Sequence, residues 1–493
     1  MLPLSLLTSL SNNLASWPLL LPEGILATTL ALLLVPGSFI PQRYRSWLPF
    51  ITLVSLALAG FSKYRLSTRL ASPTFLFNHL LILDLPGIFF SLLLIGMTVL
   101  WVLWEPPQPL PASRPASPTA GVLVLGVLLG SCLLVMAFHW LPLYLGVTLI
   151  SLASALMIGS QATPLSAAAG LKYLLYSMVA TALMLWGMGY WYGYTGTLAW
   201  AYPAAELRMA AWSGVIVPPV LLLCLSSLLF LLAVAPYHFW LPDVYQGARP
   251  ATVAYLSTVP KLAALAALWR ISQQFLPQLG PVYYTQVQQG LAGLALLTLV
   301  IGHTAALLQN NLQRILAYGA IAQGGLLIAG VAALPDSQTG LLYYSVLYAV
   351  MNLAAWWSSE TLQHLAGSSS LQGLAGLGRQ FPVLGVSVTI IMLALVGLPP
   401  TAGFTGKLLL LTGLWEATQH TGSLRYGALL LTSLVGTVCS LYYYLRLPYV
   451  LFAQPVTQAS PPPGSVPRRA TMLLGLLALL LLAAFGAGSR LLP

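Results

Sequence analysis

The sequence predicts an all-α membrane protein that crosses the bilayer many times. Of its 493 residues, 58% are hydrophobic and 5% are charged, whereas soluble proteins are roughly 45–50% apolar and about 25% charged. Lipid offers no hydrogen-bond partners to the backbone, so the spans are either helices or a closed barrel. The long apolar runs show no two-residue alternation, which favours helices.

A membrane-spanning helix needs about 20 predominantly apolar residues. Cutting the chain at proline, glycine and charge clusters gives about fourteen candidate spans. They lie at 18–36, 47–62, 82–104, 119–138, 140–160, 168–194, 213–240, 250–270, 287–308, 312–334, 338–365, 381–418, 424–452 and 470–490. A proline-rich loop at 105–118 follows the third span.

Two of these spans contain prolines that interrupt them. Pro236 lies in the seventh span, and Pro399 and Pro400 lie in the twelfth. Proline has no N–H group and therefore breaks the helical hydrogen-bond ladder. Broken helices at corresponding positions of two halves are typical of transporters with an internal repeat. A pair of ordinary proline kinks is the alternative.

Lysines inside the spans are the first candidate functional residues. The chain has four lysines, of which Lys172, Lys261 and Lys407 fall in predicted spans and Lys63 in a predicted loop. A lysine at a helix centre costs about 2.5–3.5 kcal/mol on insertion scales. Removal from water favours the neutral amine, so such a lysine can take up and release a proton. Snorkelling or a structural ion pair is the alternative for each.

Histidine and cysteine complete the list of reactive side chains. His238 adjoins the Pro236 break and is a candidate for a proton relay, because histidine titrates near neutral pH; a packing role is the alternative. The three cysteines, Cys132, Cys224 and Cys439, are far apart and lack the spacing of a metal or redox site. They are interpreted as packing residues.

The chain shows no sign of a cofactor or a nucleic-acid partner. No glycine-rich phosphate loop and no cysteine cluster for iron–sulfur occurs in the sequence. The formal charge is +11, but the basic residues are scattered singly rather than forming a nucleic-acid patch. We therefore expect no cofactor, metal or redox chemistry in this chain.

Several stretches together resemble the antiporter-like membrane subunits of respiratory complex I. The most specific is APYHFWLPDVYQGA at 235–248, which leads into LSTVPK at 256–261. The others are LKY at 171–173, LQRILAY at 312–318, YAVMNL at 348–353, GLPPTAGFTGK at 397–407 and SLYYYL at 440–445. The resemblance covers roughly residues 120–450.

The resemblance implies about fourteen helices, two inverted five-helix repeats with broken helices 7 and 12, and a proton path of buried lysines. Carried over by position, Lys261 is the central lysine, Lys407 serves the second half-channel and Lys172 is auxiliary. The implied domains are an N-terminal three-helix region at 1–118, antiporter-like halves at 119–270 and 287–452, and a C-terminal helix at 453–493.

The implied function is proton translocation coupled to quinone reduction by NAD(P)H or ferredoxin. The implied partners are other membrane subunits of complex I, including further antiporter-like subunits, with flavin, iron–sulfur clusters and the quinone bound by other subunits. The implied location is a bacterial plasma membrane, or a thylakoid membrane if the source is photosynthetic.

The chain departs from the family pattern at three positions. The family's fifth-helix glutamate aligns with Thr148, its seventh-helix lysine with Leu231, and the acid before its sixth-helix lysine with Ala168. The ion pair that gates the first half-channel therefore cannot form at these positions. A degenerate structural subunit, and an antiporter-like subunit of a membrane hydrogenase or a cation/proton antiporter, are the alternative interpretations.

Overall fold

The computed structural model describes residues 12–34, 47–104, 120–161, 163–200, 216–455 and 468–488. Helices make up most of these ranges, and the predicted all-α membrane fold is confirmed. The proline-rich loop predicted at 105–118 lies outside the described residues.

The chain forms two compact units, and each is built from two separate stretches of the sequence. One comprises Met1–Leu231 and Val259–Tyr284, and the other comprises Leu232–Thr258 and Thr285–Pro493. The chain passes from the first unit to the second after Leu231, within the seventh predicted span. It returns to the first unit at Val259, in the middle of the eighth predicted span. The four predicted domains remain predictions.

The first unit is a set of apolar helices with one small hairpin. Its helices are α1 Leu21–Leu34, α2 Leu48–Arg69, α3 Leu85–Trp104, α4 Ala120–Met136, α5 Trp140–Gly159, α6 Pro164–Thr195, α7 Val217–Cys224 and α8 Ser226–Leu232, of which the first unit includes residues up to Leu231. The helix that begins at Val259 also belongs to this unit. Strands β1 Thr74–Leu76 and β2 Leu81–Leu83 pair in antiparallel fashion. Their buried leucines pack against Ile88 and Met136.

The second unit contains most of the remaining helices. They are α9 Leu241–Gly247, α10 Pro250–Leu256, α12 Pro281–Leu307 from Thr285 onward, α13 Leu312–Ala332, α14 Gln338–Ala366, α15 Leu377–Gln380, α16 Pro382–Val396, α17 Ala402–Thr421, α18 Leu424–Ala453 and α19 Arg468–Gly488, with α11 Val259–Arg270 belonging to the first unit. Helix α13 is buried along almost its whole length.

Within the described ranges, nine helices are long and apolar enough to cross a membrane. A tenth possibility is the segment Gln372–Gln380 together with α16, which is bent by 117°. Helix α4 is apolar but shorter than a full span. The count of fourteen spans and the inverted repeats therefore stay predictions.

Both predicted helix breaks are present. Helix α8 ends at Leu232 and α9 begins at Leu241, so the break surrounds Pro236. Helix α16 ends at Val396 and α17 begins after the two prolines. In the first break the Ala235 amide donates a hydrogen bond of 2.9 Å to Thr298 Oγ1 on α12, which replaces a lost helical partner.

The eighth predicted span contains a break that the sequence analysis did not anticipate. Helix α10 ends at Leu256 and α11 begins at Val259. Asn352 on α14 donates to Ser257 Oγ at 2.6 Å and to Thr258 Oγ1 at 2.9 Å. Pro260 supplies no N–H group to continue the ladder, and Thr258 turns its hydroxyl back onto the Ala254 carbonyl.

A buried ion pair ties α11 to the start of α3 in the first unit. Arg270 donates from Nη1 to Asp84 Oδ2 at 2.7 Å and from Nη2 to Oδ1 at 2.8 Å. Arg270 Nε donates to the Val135 carbonyl, while Gly87 N and Gln274 Nε2 donate to the carboxylate. Both charged groups are thus surrounded by hydrogen-bond partners.

Replacing Arg270 by alanine is expected to destabilise the protein by about 3–5 kcal/mol, because it leaves the buried Asp84 carboxylate without its cationic partner. The double variant with Asp84→Ala is expected to lose less than the sum of the two single changes. The heat stability of the purified protein in detergent measures both. Arg425→Ala, which removes an exposed arginine, is the control; an equal loss for Arg270→Ala would contradict the expectation.

Candidate functional site

Lys407 lies on α17 with its ammonium directed at the end of the preceding half-helix. Its Nζ donates to the Leu395 carbonyl at 2.9 Å and to the Val396 carbonyl at 2.8 Å, and its side chain is buried. The last carbonyls of a helix lack intrahelical partners and carry partial negative charge. The break after Val396 therefore creates the acceptors that hold this lysine.

Gly397 leaves the space that the lysine stem occupies. It ends α16 in the left-handed region with φ +84, and a Cβ there would lie 2.8 Å from Lys407 Cδ. On α17, a side chain at Gly403 would overlap the Ala394 carbonyl. Glycine at these two positions thus lets the two half-helices and the lysine approach closely.

Buried polar side chains continue from the Lys407 site into α13 and α14. Gln323 Nε2 donates to Leu395 O, the carbonyl that also accepts from Lys407, at 3.4 Å. The Tyr344 hydroxyl donates to Gln323 Oε1. The ring of Tyr344 stacks on that of Tyr348 at 6.4 Å between centroids.

A second buried polar group surrounds His303 on α12. The Tyr443 hydroxyl lies 3.2 Å from His303 Nδ1, and the imidazole ring packs against Gly436, where a Cβ would not fit. Tyr444, beside Tyr443 on α18, places its hydroxyl against Gly319, one helical turn before Gln323. The second unit therefore carries buried polar groups on α12, α13, α14, α17 and α18.

Lys261 occupies the third position of α11 in the first unit. Its side chain is 1% exposed, and every residue of α11 is buried. It follows Pro260 and the break at 257–258, which the chain forms in the middle of this span. Of the predicted lysines, Lys261 and Lys407 are thus both buried and both close in sequence to a helix break.

The other two predicted residues lie in different settings. His238 is buried in the turn between α8 and α9, its ring lies 4.4 Å from that of Phe239, and its Nδ1 has no hydrogen-bond partner among the described residues. Lys172 is half-buried on α6, between exposed Leu171 and buried Tyr173.

The positions that depart from the family pattern carry no charge. Thr148 is half-buried on α5 and donates its hydroxyl to Leu145 O, one turn earlier. Leu231 is buried near the end of α8. Neither residue can ionise, so the first unit holds no ion pair at these two positions.

Lys63, expected in a loop, is instead on helix α2, and this expectation was wrong. Its side chain is 0% exposed, and its Nζ lies 2.6 Å from Glu23 Oε1 on α1. Helix α2 runs to Arg69, beyond the predicted span end at 62. The sequence did contain a signal for this ion pair: Lys63 follows the apolar run of the second span, and Glu23 is the acid within the first span.

Across the described ranges, no group of three or more histidine, cysteine or acidic residues is placed to hold a metal ion. The three cysteines are free; Cys132 and Cys224 are buried and Cys439 is half-buried.

The family model of the membrane domain described as NADH:quinone oxidoreductase/Mrp antiporter matches residues 137–432. The chain belongs to this family. NADH-quinone oxidoreductase subunit N of Trichlorobacter lovleyi is 31% identical over 441 residues, covering 88% of this chain and 87% of that protein. The subunit of the same name from Chlorobium chlorochromatii is 30% identical over 482 residues, covering 94% and 91%. The resemblance inferred from the motifs is confirmed.

Solved structures agree with the family assignment. A chain of respiratory complex I from Thermus thermophilus is 29% identical, with a TM-score of 0.76 over 94% of this chain and 96% of its own. A chain of an archaeal membrane-bound sulfane sulfur reductase, at 21% identity and a TM-score of 0.80 over 97% of this chain and 95% of its own, shares the fold. So does a chain of the Mrp complex from Dietzia, at 19% identity and a TM-score of 0.75 over 96% and 95%.

Gly397→Ala is expected to lower the stability of the protein, because Cβ would press on the Lys407 stem and φ is left-handed. Gly293→Ala is the matched control, since nothing lies within 4 Å of a Cβ at that helical position. Alanine there is expected to be neutral or to stabilise by up to about 1 kcal/mol. Melting temperatures of the two purified variants measure the difference; equal values would contradict the packing argument.

Proposed function

We propose that this chain is a proton-conducting membrane subunit of a complex I-type NADH-quinone oxidoreductase. It contributes to the translocation of protons that accompanies quinone reduction, and it performs no redox chemistry itself. The proposal rests on one observation in a chain of this family. The ammonium of the buried Lys407 donates to the Leu395 and Val396 carbonyls, at the end of a half-helix.

The surroundings of Lys407 suit a group that changes its charge. Burial in an apolar environment favours the neutral amine, whereas the two carbonyl acceptors favour the ammonium. The opposing effects keep both protonation states within reach. Gln323 donates to the Leu395 carbonyl and accepts from the Tyr344 hydroxyl, and both side chains offer polar contacts to water entering the site when the charge changes.

Lys261 serves the first unit in the same way, as a buried lysine following a helix break. His238 has a buried ring nitrogen with room for a further hydrogen bond, and we assign it a relay role beside the first break. Lys172, which is half-buried, is assigned an auxiliary role. His303 and Tyr443 extend the proton path away from Lys407.

The segments 119–270 and 287–452 act as the two antiporter-like halves, flanked by the regions 1–118 and 453–493. Flavin, iron–sulfur clusters and the quinone belong to partner subunits, and the other membrane subunits include further antiporter-like chains. The assembly lies in a bacterial plasma membrane, or in a thylakoid membrane if the source is photosynthetic.

Lys407→Met is expected to reduce proton translocation by about tenfold or more, equivalent to a barrier raised by about 1.4 kcal/mol, because no proton can reside on methionine. Pumping is measured in vesicles containing the purified complex, as protons moved per quinone reduced. Lys407→Arg, which keeps the positive charge but does not release its proton, is expected to be equally impaired. Native pumping in the methionine variant would overturn the proposed role.

Purification in mild detergent from the native membrane tests the assembly itself. We expect flavin-containing, iron–sulfur and other antiporter-like subunits to co-migrate with the chain, as identified by mass spectrometry. Co-migration with small antiporter subunits alone would favour a cation/proton antiporter instead.

A further inference from the structure

Glu23 and Lys63 form a buried ion pair that the proton path described above does not use. Lys63 Nζ lies 2.6 Å from Glu23 Oε1, and the exposed fractions of the two side chains are 0% and 5%. Glu23 is in the first turn of α1, and Lys63 is in the last third of α2. Both helices belong to the first unit.

The pair has few other hydrogen-bond partners. The remaining contact of the ammonium is Met136 Sδ on α4, at 3.2 Å, and a thioether is a weak acceptor. Glu23 Oε2 is buried and has no hydrogen-bond partner among the described residues. Both charges are therefore withdrawn from water with one strong contact between them.

The Asp84–Arg270 pair of the same unit provides an internal comparison. There, both carboxylate oxygens accept hydrogen bonds, and the guanidinium also reaches a backbone carbonyl and a glutamine. A buried ion pair needs such additional bonds to offset its desolvation. The Asp84–Arg270 pair meets this requirement, whereas the Glu23–Lys63 pair lacks these additional hydrogen bonds among the described residues.

Moving one proton removes both charges of the Glu23–Lys63 pair. One N–H bond of Lys63 breaks and one O–H bond forms on Glu23, which leaves a neutral amine beside a neutral acid. A proton then taken up by the amine gives an ammonium beside the acid, and release of the acid's proton restores the ion pair. No other reactant is needed for this cycle.

The hairpin β1–β2 packs on Met136, the residue that also contacts Lys63. Its buried leucines form this contact together with Leu19 and Leu20 just before α1, and Ser16 accepts a hydrogen bond from the Phe77 amide. The other titratable groups nearby are Cys132, one turn before Met136 and buried, and His79 on the hairpin, whose ring lies 4.4 Å from that of Phe75. Helix α3 contributes no charged residue.

We propose that Glu23 and Lys63 are a further proton-exchange site, at which the chain takes up or releases protons beneath the hairpin at one end of the first unit. This inference rests on the proposed proton translocation. It adds a site in the N-terminal helices that is separate from Lys261 and Lys407.

Glu23→Gln in the intact complex tests the inference, because glutamine keeps the shape and an acceptor for Lys63 but cannot exchange a proton. We expect the number of protons moved per quinone reduced to fall about tenfold. We also expect turnover of the native complex to produce an infrared band of a protonated carboxylic acid that shifts in deuterated water, and we expect the variant to lack this band. Asp84→Asn is the matched control, expected to lower heat stability while assembled complexes pump at the native level.

Native pumping by Glu23→Gln would overturn the inference. If that variant does not assemble, the double variant Glu23→Gln with Lys63→Met removes both charges: native pumping in it means that the pair is purely structural, and assembly with impaired pumping supports exchange. Lys407→Met measured in parallel separates the two proposals. Loss of pumping in Lys407→Met with native pumping in Glu23→Gln rejects this inference alone, whereas native pumping in both rejects the proposed function.

Discussion

Backbone groups freed at a helix break inside a bilayer must find partners within the protein, because lipid provides none. Much of this structure follows from that constraint. Thr298 accepts a hydrogen bond from an amide of the first break, and Lys407 donates to two carbonyls at the second. Asn352 binds the hydroxyls of Ser257 and Thr258 at a third break. Thr298 and Lys407 are polar, buried and on a different helix from the backbone group that each satisfies, whereas Asn352 donates to side-chain hydroxyls.

The same constraint explains why a charged group is found at one of these breaks. A lysine alone in an apolar helix bundle is costly, but the end of a helix offers carbonyls with partial negative charge. Lys407 and the end of α16 therefore satisfy each other. The arrangement holds this buried ammonium in place through two backbone carbonyls.

The first unit handles its charges differently. Asp84 and Arg270 are a pair with a full set of hydrogen bonds, suited to a permanent connection between helices. Glu23 and Lys63 are equally buried but have few other partners. Thr148 and Leu231, at the positions where the resemblance implies an ion pair, carry no charge.

The sequence by itself determined the class of protein, the breaks at Pro236 and at Pro399–Pro400 and the burial of Lys261 and Lys407, because these depend on composition and on local covalent chemistry. Proline removes a hydrogen bond from a helix interior, and an apolar run of about 20 residues is long enough to span a bilayer. Only the tertiary structure decided which groups meet. Lys63 was predicted in a loop, but it lies on a helix beside Glu23 of α1. Asp84 pairs with Arg270 across a sequence separation of 186 residues. The break at 257–258 depends on Asn352 from a later helix. Such contacts are set by the packing of distant segments, which no local pattern of residues encodes.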